Sequence, residues 1–155
     1  MTTKFQGSKY VRGMNVTEIA KRIRADIKAA VASGALPKAK YSVRIERYSM
    51  GQSVTVKVSD VVIPNATCLR IYTEEFLRAS VETPHTFFPH DRMTTSACSF
   101  LRAVKAIVNE YNEGESDSHT DYYRSNFHSS VSFDWRWEKS VRDAQLARLY
   151  PVDAA

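Results

Sequence analysis

The chain has 155 residues, of which 43% are hydrophobic and 25% charged, with five Gly and five Pro. That composition fits one globular domain, residues 1–155, and leaves little room for a long disordered linker. Charge is polarised: residues 1–60 hold twelve Lys and Arg against four Asp and Glu, and residues 111–155 hold five against eight, within a formal net charge of +5. No apolar run approaches the ~18 residues of a membrane span, and the polar first ten residues lack the hydrophobic stretch of a signal peptide, so membrane insertion and secretion are not expected.

Val16, Ile19, Ala20, Ile23, Ile27, Ala30 and Val31 recur at helical spacing, and Asn15 with Glu18 has the spacing of a capping box. Gly34 suits the left-handed conformation after a last turn, and Pro37 cannot continue a helix. Lys21, Arg24 and Lys28 then fall along the helix's outer face. Next, Tyr41, Val43 and Ile45 alternate with Ser42, Arg44 and Glu46, while Val54, Val56 and Val58 alternate with Thr55 and Lys57. Period-two alternation predicts a hairpin with one buried and one wet face, Arg44, Thr55 and Lys57 lying on the wet one. The connection at residues 47–52, which carries Tyr48 and Met50, reads as a loop longer than a tight turn and projecting from the sheet.

Leu69, Tyr72, Phe76 and Leu77 suggest a helix at residues 65–80, and two prolines beside Phe87 and Phe88 describe an irregular loop at 81–92. A second strong helix carries Ala97, Phe100, Leu101, Val104, Ile107, Val108 and Tyr111 on one stripe. Residues 112–121 read as a polar, acidic loop. Phe127, Ser129, Val131, Phe133, Trp135 and Trp137, spaced by two, read as a third strand. A short closing helix at 138–150 turns Val141, Ala144, Leu146 and Leu149 toward apolar surroundings and ends at Pro151. The expected fold is α+β: a small antiparallel sheet of about three strands packed against two longer helices, 16–33 and 95–111, with a short C-terminal helix. Cys68 and Cys98 sit in apolar helical patterns, where a free thiol behaves as a small buried hydrophobe, so a reduced, cytoplasmic chain is the simpler reading.

Catalytic spacing is lacking. The chain has no GxSxG elbow, no catalytic-cysteine motif, no GxxxxGK[ST] and no GxGxxG. His85, His90 and Asp91 are of residue types that hold zinc or iron, but their spacing matches no standard site, and they read as loop residues. Glu113, Glu115, Asp117 and Asp121 offer oxygen ligands without the twelve-residue calcium-loop pattern. No cofactor and no bound metal are expected, and the chain is read as a non-enzyme.

The basic half remains. Lys4, Lys9, Arg12, Lys21, Arg24, Lys28, Lys38, Lys40, Arg44, Arg47 and Lys57 are the candidate contacts, with Tyr10, Tyr41 and Tyr48 interleaved. Such a set suits nucleic acid or a protein with an acidic surface, which the resemblance below would make a host protein. The expected binding residues are Lys21, Arg24, Lys28, Arg44 and Lys57, with Tyr48 and Met50 at the loop tip. A homodimer would bring the acidic C-terminal third of one copy against the basic third of another.

The order of a helix, then LeuProLysAlaLysTyrSerValArg at residues 36–44, then residues 49–58 with GlyGlnSerValThrVal, resembles a large polyvalent protein-associated domain of the twenty-ninth type. TyrAsnGluGlyGluSerAspSerHisThrAspTyrTyr at 111–123 and PheHisSerSerValSerPhe at 127–133 are similar to that pattern's second half. Such domains belong to multi-domain proteins of phages and conjugative elements. The resemblance implies an accessory protein that acts by binding, inhibiting a host defence component at entry, with no catalytic residues carried over; the alternative is a nucleic-acid-binding module.

Overall fold

The structure, a computed structural model, describes residues 2–61 and 95–149. The expected helix at 65–80, the loop with Phe87, Phe88, His85, His90 and Asp91, and Cys68 all lie outside these. The first helix, α1 (Val16–Ala32), starts where Asn15 accepts the backbone N–H of Thr17 at 2.9 Å. A cap of this kind is worth about 1 kcal/mol. Glu18 accepts from Arg22 Nε at 3.1 Å, one turn along the helix. Gly34, at φ +83°, turns the chain out of the helix, and the Leu36 N–H then donates back to the Ala30 carbonyl at 3.1 Å.

The chain is α+β, as its periodicity predicts, but it builds two three-stranded sheets. In the first, β2 (Lys40–Tyr48) and β3 (Gly51–Ser59) pair antiparallel from Lys40 opposite Ser59 to Tyr48 opposite Gly51, and β6 (His128–Phe133) joins β3 in parallel. Only Ser49 and Met50 lie between β2 and β3, so the long projecting loop expected there is a two-residue turn. In the second sheet, β4 (Glu113–Asp117) pairs antiparallel with both β1 (Thr2–Gln6) and β5 (Tyr122–Ser125). The acidic loop expected at 112–121 is therefore a strand followed by a turn.

The core lies between the β2-β3-β6 sheet and two helices. Helix α1 packs on β2 and β3, and α2 (Thr95–Asn109) packs on β6. Val54, Val56 and Val58 of the central strand are wholly buried against Ile19, Ile23 and Ile27 of α1 and Val104 and Val108 of α2. Each such side chain contributes about 1.5–3 kcal/mol. Sequence alternation runs on past Phe133, but the strand stops there. Asp134 Oδ1 accepts the N–H groups of Arg136 (3.0 Å) and Trp137 (3.3 Å), which caps a new helix, α3 (Trp135–Leu149). Trp137 thus packs on Phe133, with centroids 5.7 Å apart, while Trp135 is exposed. Val141 packs at the core's edge, but Ala144, expected to face apolar surroundings, is exposed. No helix among the described residues is long and apolar enough to cross a membrane.

One polar residue joins the sheets. Asn112 is buried, and its Nδ2 donates to the Phe127 carbonyl (2.9 Å) while its Oδ1 accepts the N–H groups of Phe127 (3.2 Å) and Glu113 (3.0 Å). Nearby, Gly7 donates its N–H to the Asn112 carbonyl at 2.8 Å, and any side chain at Gly7 would collide with the carbonyls of Asn109 and Glu110. Truncating Asn112 removes the side-chain partner of both the N–H and the C=O of buried Phe127, at about 1–3 kcal/mol each. The variant Asn112→Ala is expected to lose about 3 kcal/mol in urea denaturation; a loss under about 0.5 kcal/mol would show that the amide is not a structural clamp.

Candidate nucleic-acid interface

Pairing register decides which side chains share the open face of the β2-β3-β6 sheet. Alternation places Ser42, Arg44, Glu46 and Tyr48 of β2 there, beside Ser53, Thr55 and Lys57 of β3 and His128, Ser130 and Ser132 of β6. The opposite face carries the buried valines and the helices. The open face is thus hydroxyl-rich, with two cations at its centre. Lys57 donates to Ser132 Oγ across the strands at 2.8 Å, and Arg44 is exposed beside Thr55.

At one end of this face three rings line up. His128 stacks on Tyr48 (centroids 6.4 Å, 19° between planes) and on Tyr123 (5.9 Å, 22°). Tyr48 and His128 stand on strands that do not pair, and β3 runs between them. They meet because Gly51 lies opposite Tyr48 and has no side chain to separate them; a Cβ there would stand 3.0 Å from the Tyr48 ring. Tyr123 comes from β5, so the row crosses from one sheet to the other. Tyr48 and Tyr123 remain 47% and 63% exposed. Near-parallel exposed rings beside cations are the elements with which single-strand binders stack bases and hold phosphates.

The expected binding residues divide between two places. Arg44, Lys57 and Tyr48 share the open sheet face, and Met50 projects fully exposed from the turn at its end. Lys21, Arg24 and Lys28 stand on α1, on the other side of the sheet. Arg24 instead reaches the outer edge of β2, donating to the Val43 carbonyl at 2.7 Å. Arg47 turns away from the open face and donates to Thr17 Oγ1 (2.8 Å) and Asn15 Oδ1 (3.1 Å) at the start of α1. His128 and Tyr123 were not singled out by sequence; their signal is the cross-strand register, which no linear pattern displays.

Three cations away from the sheet face are paired with carboxylates. Lys4 pairs with Glu115 at 3.2 Å, and Arg124 holds Glu113 through two hydrogen bonds of 2.7 and 3.1 Å. These contacts occupy carboxylates of the acidic stretch, and no group of three or more metal-ligating side chains occurs among the described residues. Lys9 lies 2.9 Å from Asp26 and 3.1 Å from Glu110, with its ammonium 5.7 Å from the centre of the Tyr111 ring. Tyr111 donates its hydroxyl to Asp26 at 2.5 Å.

Hydrogen bonds to Asp26 and Glu110 raise the Lys9 pKa, burial and the Asp26 contact push Tyr111 up to about 12, and burial alone pushes Tyr41 up to about 12. For Asp26, burial acts to raise the carboxyl's pKa, but the bonds from Tyr111 and Lys9 outweigh it and the net shift is downward. This arrangement holds Lys9 charged and Tyr111 protonated at neutral pH, which suits a strut tying the N-terminal segment to both helices rather than an acid–base pair.

No protein-family model, no curated protein and no solved structure matches the chain.

Because the folded Asp26 carboxyl titrates below its unfolded value of about 3.9, its contribution to stability is complete above that pH and is lost as pH falls through the folded value. In urea denaturation, Asp26→Asn is expected to lower stability at pH 7 and to flatten the decline below about pH 4. Parallel pH profiles for the two proteins would assign the acid sensitivity to other carboxylates.

Proposed function

We propose that the chain is a non-enzymatic protein that binds single-stranded nucleic acid on the open face of its β2-β3-β6 sheet. The observation that carries this reading is the exposed row Tyr48, His128 and Tyr123 running beside Arg44 and Lys57. Bases stack on rings of this kind with little regard to sequence, and each is worth about 1–3 kcal/mol. Arg44 and Lys57 hold phosphates, and the Ser and Thr hydroxyls supply further donors to the backbone or to a 2′-hydroxyl. A protein partner's hydrophobic centre finds less to pack on here, since nearly every other side chain of the face is polar.

The resemblance in residues 36–58 and 111–133 supports a phage or conjugative-element setting in the host cytoplasm. There the protein acts by occupying its ligand, as an accessory or counter-defence factor, without chemistry of its own. Direct inhibition of a host protein is the competing role within the same setting, and oligonucleotide binding discriminates the two.

Fluorescence anisotropy with labelled dT20 and U20 tests the proposal. Tyr48→Ala and Tyr123→Ala are each expected to weaken binding at least about 5-fold, on the scale of one lost base stack. Arg44→Glu and Lys57→Glu are expected to weaken it further and to reduce the slope against log salt by about 0.7 per phosphate contact. Failure of either oligonucleotide to bind at 50 mM salt, or binding indifferent to all four substitutions, would remove this reading in favour of a protein target.

A further inference from the structure

The outer edge of β2 and the flank of α1 enclose a groove of about 430 Å³ that the open sheet face does not use. Its floor is apolar, built from Ile27, Val31, Tyr41 and Val43, and Arg24 and Lys28 stand on its rim. The strand at this groove is an edge: β2 pairs with β3 on one side, and no strand among the described residues pairs with the other. A two-residue turn makes Tyr48 and Gly51 a hydrogen-bonded pair, so counting back in an antiparallel ladder, Tyr41, Val43 and Ile45 direct their N–H and C=O groups outward. The Arg24 guanidinium on the Val43 carbonyl confirms that parity. One cation therefore already marks an edge that otherwise offers unused backbone donors and acceptors beside an apolar trough.

We propose that this edge binds an extended, acidic peptide segment of a partner protein by strand addition. In such a strand, alternate side chains point to opposite faces. One set enters the trough over Ile27 and Val31, which requires apolar residues. The other set emerges on the open face beside Lys40 and Arg44, which favours Asp or Glu, while Arg24 and Lys28 meet carboxylates along the rim. Among the described residues no carboxylate lies within salt-bridge distance of Lys28, Lys40 or Arg44, so these charges remain available to a ligand. A second copy of the chain is the poorer occupant. Pairing β2 with β2 would set two such cationic rims against each other, and like charges across an interface oppose association.

Arg44 is common to both readings, but Lys28 and the outward amides of β2 lie apart from the stacked rings, so substitution of Lys28 and N-methylation of the peptide report on this site alone. The probe is a fluorescein-labelled decapeptide of alternating Asp and Val, titrated into the full chain by anisotropy. Saturable binding is expected, weakened at least about 5-fold by Lys28→Glu, an exposed position whose folding is checked by circular dichroism, and lost when alternate peptide amides are N-methylated. Hydrogen exchange at the Val43 amide is expected to slow in the complex. No saturable binding, equal binding of the N-methylated peptide, or equal binding of an alternating Lys–Val peptide would each overturn the proposal. So would a stable dimer through β2 in sedimentation equilibrium.

Discussion

The relation between the two sheets depends on one buried carboxamide. Asn112 ends the segment that leaves α2, and its side chain seizes both polar groups of Phe127, the residue that leads into β6. The fourteen residues between them, 113–126, which include β4, β5 and their turn, are closed into a loop by that contact. The strands inside the loop have few apolar side chains, and beyond their backbone ladders their side-chain ties include exposed ion pairs such as Lys4 with Glu115. Pairs of that kind contribute at most about 1 kcal/mol. Buried hydrogen bonds, whose loss leaves groups unsatisfied, weigh more. By fixing where β5 ends and β6 begins, Asn112 also sets Tyr123 beside His128, so a structural clamp determines the geometry of the candidate site.

Charge is distributed to match. Lys4 of the basic first half meets Glu115 of the acidic last third at the surface, and Lys9 lies between Asp26 of α1 and Glu110 at the end of α2. That intramolecular pairing uses up part of the polarity seen along the chain. Part of what is left over lies around β2: Arg44 and, on neighbouring β3, Lys57 on the open face, Arg24 at the edge of β2, and Lys28 on the helix beyond. The strand is thus the boundary between two surfaces of different chemistry, one polar with stacked rings and one an apolar trough with a cationic rim.

Much of the frame was legible in the sequence because its signals are local. Apolar spacing in α1 and α2, the Asn15 cap, the Gly34 stop and the alternation of β2 and β3 all arise from residues a few positions apart. The failures share a cause, too. Glu113–Asp117 has no apolar alternation to announce a strand, and its partners Lys4 and Arg124 lie far away or across a turn. Trp135 and Trp137 continue the spacing of β6, but Asp134 satisfies two backbone N–H groups and starts a helix instead. At the site, Arg44 and Lys57 followed from alternation, whereas Tyr48, expected at a loop tip, is the last residue of β2. His128 and Tyr123 did not follow from it, since their stacking depends on the parallel pairing of β3 with β6 and on the space above Gly51. Lys21, Arg24 and Lys28 stand on α1, which packs on the face of the sheet opposite Arg44 and Lys57.

Ultraviolet crosslinking of a thymidine oligomer to the full chain, mapped by mass spectrometry, tests the proposed role of the open sheet face most directly. The account predicts adducts at Tyr48 or Tyr123. Adducts confined to the peptides of α1 or α3, or protein that forms none while binding the oligomer, would contradict it.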